Sequence, residues 1–321
     1  MRKEKMKAII CTKYGSPEVL QLREVEKPIP KDNEILIKIK ATAVNSGDYR
    51  IRKADPFAVR FFFGLTKPKN ILGGVLSGEV ESIGKDVKRF KLGDEVFGST
   101  GMSFGAYAEY KCLPENATIA IKPNSFSHEE AAVIPFGGNT ALFFIKKAKI
   151  TKGQKVLIYG ASGAVGTAAI QLAKAFGAHV TGVCSGTNVD LVKSLGADAV
   201  IDYTKEDFTR NGMAYDVIFD TVNKISFSQY LKALTEKGIL ILASAGISEM
   251  LQGAWTSMTS SRKVITGVIS ENTEDMIFIK QLMEEGKIKS VLDRTYNLEQ
   301  IAEAHAYVEE GHKKGNVAIK V

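Results

Sequence analysis

Residues 155–159 form an apolar run, Lys-Val-Leu-Ile-Tyr, which ends in Gly160, Ala161, Ser162, Gly163, Ala164, Val165 and Gly166 and continues into a helix-forming stretch over 167–176. A strand, a glycine turn and a helix in that order make the pyrophosphate unit of a dinucleotide site. Gly163 leaves no Cβ between backbone and phosphates. Gly166 lets the helix lie close on the strand, and the helix N-terminus presents unpaired N–H groups to an anion. Ala161 stands where G-x-G-x-x-G has its first glycine, with Gly160 one residue earlier, so the turn alone carries little weight. The chain beyond the turn adds to it: apolar runs at 179–183, 198–201, 216–220 and 238–243 recur at the spacing of right-handed βαβ units. The reading is α/β, with a doubly wound parallel sheet. A glycine turn that binds no dinucleotide is the competing reading.

The first third of the chain has a different period. Over 34–44, Ile35, Ile37, Ile39, Ala41 and Ala43 fall on one face, which predicts a half-buried strand. Short strands punctuated by glycine are expected at 78–84, 93–98 and 106–113, giving a compact β-barrel-like domain. A helical region then begins, with Ser127 and Glu130 at capping-box spacing; Gly137-Gly138 reads as a turn before a second helix over 140–148. A strand over 263–269 is followed by helices at 274–285 and 298–310, the latter with Asn297 and Gln300 as a capping box and Gly311 as its stop. A last strand at 317–321 is expected to return to the first domain. The division is therefore 1–124, rejoined by 272–321, and 125–271.

Composition narrows the partners. The net charge is +7, but the 43 basic residues are dispersed among 36 acids, which argues against nucleic acid and suits a phosphate-bearing small ligand. Cys11, Cys112 and Cys184 are odd in number and far apart, so neither a disulfide framework nor a cysteine-rich metal site is indicated and a reducing, cytoplasmic location is expected. The N-terminus is basic, yet the apolar stretch at 8–11 is too short for a signal peptide, and nothing approaches a membrane span. Residues 57–63, Phe-Ala-Val-Arg-Phe-Phe-Phe, read as core or pocket lining in preference to membrane contact.

The order of motifs resembles the medium-chain dehydrogenase/reductase superfamily, in its zinc-free quinone oxidoreductase branch. The markers are Val44-Asn45-Ser-Gly-Asp48, the glycine-rich stretch 73–84, Gly93-Asp-Glu-Val96, the stretch 134–141, the turn 161–166, and Ser194-Leu-Gly-Ala-Asp198 with Asp202-Tyr203. The resemblance implies a GroES-like β-rich substrate domain, a Rossmann domain, a homodimer and NADPH as cofactor. Zinc-dependent relatives place a cysteine at the position of Asn45, a His-Glu pair at Gly74-Val75, and a cysteine near Gly137 or Gly138; none of these is present, which implies no zinc. His128, His179, His305 and His312 show no ligand spacing and read as surface or capping residues.

Without a metal to lower an alcohol's pKa, the acceptor must already be electrophilic, so the expected substrates are quinones or α,β-unsaturated carbonyls. An enoyl-thioester reductase and a non-catalytic NADPH-binding sensor are the alternatives. The resemblance puts Asn45 beside the nicotinamide and the acceptor carbonyl, Asp48 in the loop as its organiser and Tyr49 as a phenolic donor. Asn45 also reads as a turn asparagine. Tyr49 and Lys53 share the Y-x-x-x-K spacing of short-chain dehydrogenases, but they precede the nucleotide turn instead of coming after it. Residues 183–188 lack the carboxylate that would bind an NAD ribose. Ser185, Thr187 and Asn188 offer hydrogen bonds to an adenosine phosphate, Tyr203 sits where relatives contact it, and Lys205, Arg262 or Lys263 would supply charge. Thr140 is expected near the nicotinamide, with Ala243, Ser244 and Ala245 on its other side. Trp255, in a segment expected to join two strands, reads as a pocket cap or a dimer anchor.

Overall fold

The computed structural model describes residues 4–68 and 71–321; the first three residues of the basic N-terminus lie outside them. In chain order the elements begin with β1 (Lys5–Cys11), β2 (Leu20–Glu26), β3 (Glu34–Val44), α1 (Ser46–Lys53), α2 (Val59–Phe63), β4 (Val75–Ile83), β5 (Glu95–Ser99), β6 (Tyr110–Pro114), β7 (Ile119–Ile121), α3 (His128–Ala132) and α4 (Ile134–Ala148). A βα alternation comes next: β8 (Lys155–Tyr159), α5 (Ala164–Ala175), β9 (His179–Cys184), α6 (Val189–Ser194), β10 (Ala199–Asp202), β11 (Tyr215–Asp220), α7 (Phe227–Lys232), β12 (Leu234–Leu242), α8 (Ile247–Thr259) and β13 (Lys263–Ile265). The chain ends with α9 (Thr273–Glu284), β14 (Leu292–Asn297), α10 (Ile301–Glu309) and β15 (Asn316–Lys320). Two compact units result. One holds residues up to Phe136 with Glu271–Glu284 and Ser290–Val321; the other holds Gly137–Ser270 with Glu285–Lys289.

The first unit is β-rich. Its larger sheet runs β14-β15-β3-β4-β5-β7, with β6 also on β3, while β1 and β2 pair separately as an antiparallel ribbon. β3 is the hub because it pairs β4, β6 and β15. Its first half keeps the expected face, with Ile35, Ile37 and Ile39 in the core with Leu76, Val80 and Val96, although Leu36 on the other face is buried as well. Its second half departs from alternation: Ala41, Thr42, Ala43 and Val44 are all buried, since small side chains let that stretch be covered on both faces. The one polar side chain in that stretch is paired, Thr42 Oγ1 donating to Val75 O at 2.6 Å. α3, expected at the head of the cofactor domain, packs on β3, β4, β5 and β15 and belongs here. Its cap is the expected one: Ser127 Oγ accepts from Glu130 N and Glu130 Oε2 from Ser127 N.

The second unit is a six-stranded parallel sheet in the order β10-β9-β8-β11-β12-β13. Counted within the unit that order is 3-2-1-4-5-6, the doubly wound arrangement whose ligand crevice lies outside the carboxyl ends of the strands. Three expectations fail locally. Gly137-Gly138 is no turn, because α4 runs through it; a Cβ on Gly137 would lie 2.4 Å from Ala164 O, so the glycine permits helix-to-helix contact. The segment with Trp255 is helical, lying within α8, where Gly253 leaves room for Val264: a Cβ there would sit 2.7 Å from its Cγ1. The strand expected over 263–269 stops at Ile265. Glycine is read from sequence as a breaker, but here it marks close approach.

Candidate active site

In the first unit β3 ends at Val44, and Asn45 is the N-cap of α1. Asn45 N donates to Asp48 Oδ2 at 2.8 Å, so the carboxylate three residues on closes the cap. Both side chains are buried, and Asn45 Nδ2 has no hydrogen-bond partner. An amide N–H that is both desolvated and unsatisfied is costly unless something occupies it. Burial pushes the Asp48 carboxyl up to about 7, against the backbone N–H groups of Asn45, Gly73 and Gly74 and the Tyr107 hydroxyl that favour its charged form. Gly73 takes φ +96, and a Cβ on it would lie 2.6 Å from the Tyr107 ring, so only glycine admits Tyr107 here. Tyr49 is half-buried against the core formed by Val44, Ile51 and Leu72.

Behind Asp48 runs a string of buried polar side chains that sequence reading missed. Arg52 is fully buried; its guanidinium donates to Glu309 and to Gly15 O, and its Nε donates to His305 Nδ1 at 3.3 Å. Because a guanidinium only donates, His305 Nδ1 accepts and the ring proton is on Nε2, which faces the Tyr107 hydroxyl at 3.2 Å. That hydroxyl has one proton, for which Ala43 O at 3.3 Å and the Asp48 carboxyl compete. His305 is therefore a core residue, not a surface one, and burial with Arg52 beside it holds its pKa down to about 3. No spacing rule links residues 52, 107 and 305, so only the fold reveals the string. His128 is half-buried and bonded, Nδ1 to Ser77 Oγ at 2.8 Å and Nε2 to Glu95 at 3.1 Å. Lys53 pairs with Glu309 at 2.6 Å, which commits it to structure.

The second unit's site is built from backbone. β8 is followed by Gly160 at φ +81, whose Cβ would lie 2.4 Å from Thr221 Oγ1, and Gly163 N returns to Gly160 O at 3.1 Å. α5 starts at Ala164, three residues earlier than expected, with Gly163 as an N-cap that makes no side-chain capping bond. Gly166 explains the early start: a Cβ there would be 2.1 Å from Gly160 O, so the first turn of helix sits on the loop itself. A Cβ on Gly163 would meet only Gly160 O, at 3.5 Å. Above Gly163 the cradle is open, and the first-turn N–H groups of Ala164, Val165 and Gly166 border it. Ala161 is fully buried and Ser162 half-buried.

At the end of β9, Asn188 Nδ2 donates to Ser185 Oγ at 3.0 Å and to Ser162 Oγ at 3.2 Å, tying this loop to the glycine turn. Asn188 thus organises the loop with the donors it was expected to offer a ligand, and its buried Oδ1 is unpartnered. Ser185 Oγ and Thr187 Oγ1 lie 3.2 Å apart, and Tyr203 is exposed just past β10. Sequence reading found no carboxylate at the end of β9, but β10 supplies one. Asp202 is in register with Cys184, and its Oδ2 lies 2.6 Å from where a Gly186 Cβ would be. Hydrogen bonds from Thr204 hold its carboxyl below the usual range, and Lys205 Nζ is 3.7 Å away. Arg262 is at the wrong end of the sheet: at the start of β13 it donates to Thr235 O and Leu234 O, and Lys263 begins the same strand. In a parallel sheet the strand starts face away from the crevice. Thr140 is buried in α4; beside it both polar atoms of buried Asn139 lack a partner. Ala243, Ser244 and Ala245 come after β12, ahead of the Gly246 cap of α8, with Ser244 and Ala245 half-buried.

A parallel sheet in 3-2-1-4-5-6 order with this glycine turn, joined to a β-rich unit that carries the Asn45–Asp48 cap, defines a medium-chain dehydrogenase/reductase. The chain belongs to the quinone oxidoreductase branch of that superfamily, as its motifs suggested. The family model for the alcohol dehydrogenase GroES-like domain matches residues 31–123, and that for zinc-binding dehydrogenase matches 195–319. The chain is 34% identical to quinone-oxidoreductase QR1, chloroplastic, of Triphysaria versicolor, over 98% of each chain. It is 30% identical to an NADPH-dependent alkenal/one oxidoreductase, chloroplastic, of Arabidopsis thaliana, over 98% of this chain and 80% of that one. The structure of the quinone oxidoreductase from Coxiella burnetii matches with a TM-score of 0.90 at 31% identity, covering 99% of this chain and 100% of that one. The family is one of oxidoreductases.

Proposed function

We propose that this chain is a zinc-independent reductase that uses NADPH to reduce quinones or α,β-unsaturated carbonyls. The observation that carries the reading is the open cradle over Gly163 at the uncapped N-terminus of α5, paired with an unpartnered amide donor at Asn45. The cradle fits a dinucleotide: it offers backbone donors and no side chain in their way. When bound, the reduced nicotinamide supplies a hydride to the acceptor. Ala164, Val165 and Gly166 hold the pyrophosphate by their N–H groups. Ser185 and Thr187 donate to the adenosine phosphate, while Asp202, its charge shared with Lys205, works against that phosphate. Asn45 Nδ2 donates to the oxygen on which charge develops. Asp48 fixes the Asn45 backbone through its 2.8 Å bond, and its remaining acceptor capacity is taken by Tyr107, Gly73 and Gly74.

Those same groups do not suit zinc. Asn45 offers an amide, Gly74 has no side chain, and Asp48 is already bonded by four donors. Among the described residues no group of three or more His, Cys, Asp or Glu is placed to hold a metal. The exposed apolar face of α8, with Met250, Leu251, Trp255 and Met258, and the position of β13 as the last strand of its sheet fit a homodimer. The unpaired cysteines fit a reducing compartment such as the cytoplasm. No helix among the described residues is long and apolar enough to cross a membrane. The test is NADPH oxidation against quinones, enones and a crotonyl thioester, with elemental analysis of the purified protein. Turnover of quinones or enones without bound zinc is the expected result. Stoichiometric zinc, or NADPH binding without turnover of any acceptor, overturns the reading.

A further inference from the structure

Residues 57–63 were expected as core or pocket lining, and the structure exposes three of their four phenyl rings: Phe57, Phe61 and Phe62 are 65%, 71% and 78% exposed, with Leu65 just beyond them at 67%. This is no frayed segment. Tyr14 OH donates to Gly64 O at 2.6 Å, and the Arg60 guanidinium stacks on the rings of Tyr14 and Phe57 at 4.7 and 5.1 Å. Val59 and Phe63, on the inner side of α2, pack on the same core as Tyr49 and Phe104. A clustered aromatic surface on a well-anchored helix marks a binding face.

Within one unit, side-chain contacts lead from α2 to the candidate active site. Phe63 meets Phe104 edge-on, with ring centroids 5.3 Å apart, and Phe104 Cε1 lies 3.7 Å from where a Gly74 Cβ would be. The Gly74 N–H serves Asp48, which holds Asn45. Met102, in the turn that precedes Phe104, is 69% exposed. Along this path polar chemistry is concentrated at Asn45 and Asp48, and the outer aromatics offer only contact area.

We infer that the aromatic face of α2 receives the apolar tail of the electron acceptor, so that the natural substrates are quinones or enones bearing an extended alkyl or isoprenoid chain. The inference rests on the proposed reductase activity and adds its substrate class. Chain length is then read as catalytic efficiency: each methylene laid on the face contributes by burial, about a threefold rise in kcat/KM per added carbon.

The experiment measures kcat/KM with NADPH for a homologous series of α,β-unsaturated aldehydes, each protein scaled to its own rate with the shortest member. The expected slope is about threefold per methylene in the natural protein, falling below about 1.5-fold in the double variant Phe61→Ser, Phe62→Ser. Ile29→Ser, at a position 85% exposed ahead of β3, keeps the natural slope. A natural protein indifferent to chain length, or a double variant with an unchanged slope, overturns the inference. If an unchanged slope comes with loss of a dimer by light scattering, or loss of co-sedimentation with anionic vesicles, the face belongs to a second copy or to a lipid surface. If no acceptor turns over, the reductase reading fails by itself. Displacement of anilinonaphthalene sulfonate by saturated methyl ketones then decides the tail site, supporting it with a slope that the double variant loses and overturning it without one.

Discussion

The candidate sites of the two units are built on opposite principles. Around residues 160–166 the working groups are backbone N–H donors, and the side chains matter mainly by being absent: Gly160, Gly163 and Gly166 each clear a specific volume. Around Asn45 the working groups are side chains, held by a buried string from Glu309 through Arg52, His305 and Tyr107 to Asp48. A backbone site tolerates changes of side-chain chemistry but no added Cβ. A side-chain site tolerates changes of shape only where every hydrogen-bonding group keeps a partner.

The sharpest way to break this contrast is within the glycine turn. Gly163→Val is expected to raise the NADPH dissociation constant by at least about a hundredfold with little change in Tm, because the added atoms enter the cradle and not the protein. Gly166→Ala does the reverse, costing about 1–3 kcal/mol of stability as its Cβ is driven onto Gly160 O. Calorimetric binding beside thermal unfolding separates the two; equal effects would remove the distinction between ligand space and packing space. Next in size, Asn45→Ala should lower kcat about 10- to 100-fold while NADPH affinity changes less than about twofold, as loss of a transition-state donor requires. Unchanged kinetics would leave Asn45 as a cap and nothing more.

A third effect is in pH dependence. Asp48 has a folded pKa near 7, above the value of an unfolded aspartate, so its contribution to stability is complete below the unfolded pKa and is lost as pH rises toward 7. His305 acts in the other direction: neutral in the fold down to about pH 3, it costs stability as pH falls below the unfolded value of 6.5. Because the two effects oppose each other over nearly the same range, from about pH 3 to 7, urea titrations should show Asp48→Asn leaving a steeper loss of stability toward acid pH and His305→Gln a steeper loss toward neutral pH; parallel curves would mean the string does not control either group. The smallest expected effect is at Asp202. Replacing it by Asn removes a partly screened charge beside the Ser185–Asn188 loop and should shift the ratio of NADPH to NADH affinity toward NADPH by up to about tenfold. A ratio that does not move would place the phosphate elsewhere.

Both the fold and the glycine turn were legible in the primary structure, for the same reason. A strand of period two, a glycine turn and a helix are local, and their parallel recurrence leaves few topologies. Even there the ends were shifted: α5 begins at Ala164 because Gly166 lets helix grow over the loop. The failures cluster where glycine serves a neighbour distant in sequence. Gly137 was read as part of a turn and Gly253 lay in a segment expected only to join two strands, yet each sits inside a helix and yields space to Ala164 or Val264. Asp202 read only as a family marker because a ribose-binding carboxylate is expected at the end of β9, whereas register with β10 brings this one to the same loop. The exposed aromatics of α2 were assigned inward because hydrophobicity alone does not say which face a short helix turns to solvent.

The order of residues was enough to settle the two-unit α/β architecture, the family and the place of the glycine turn, since each depends on short-range periodicity and on the steric freedom of a few glycines. Tertiary packing alone decided that Arg52, His305, Tyr107 and Asp48 form one directed chain, that Asp202 faces Gly186, and that Phe61 and Phe62 lie bare. Hydrogen-bond direction, burial and desolvation arise between groups far apart along the chain, and they take definite values only once the sheets have brought those groups together.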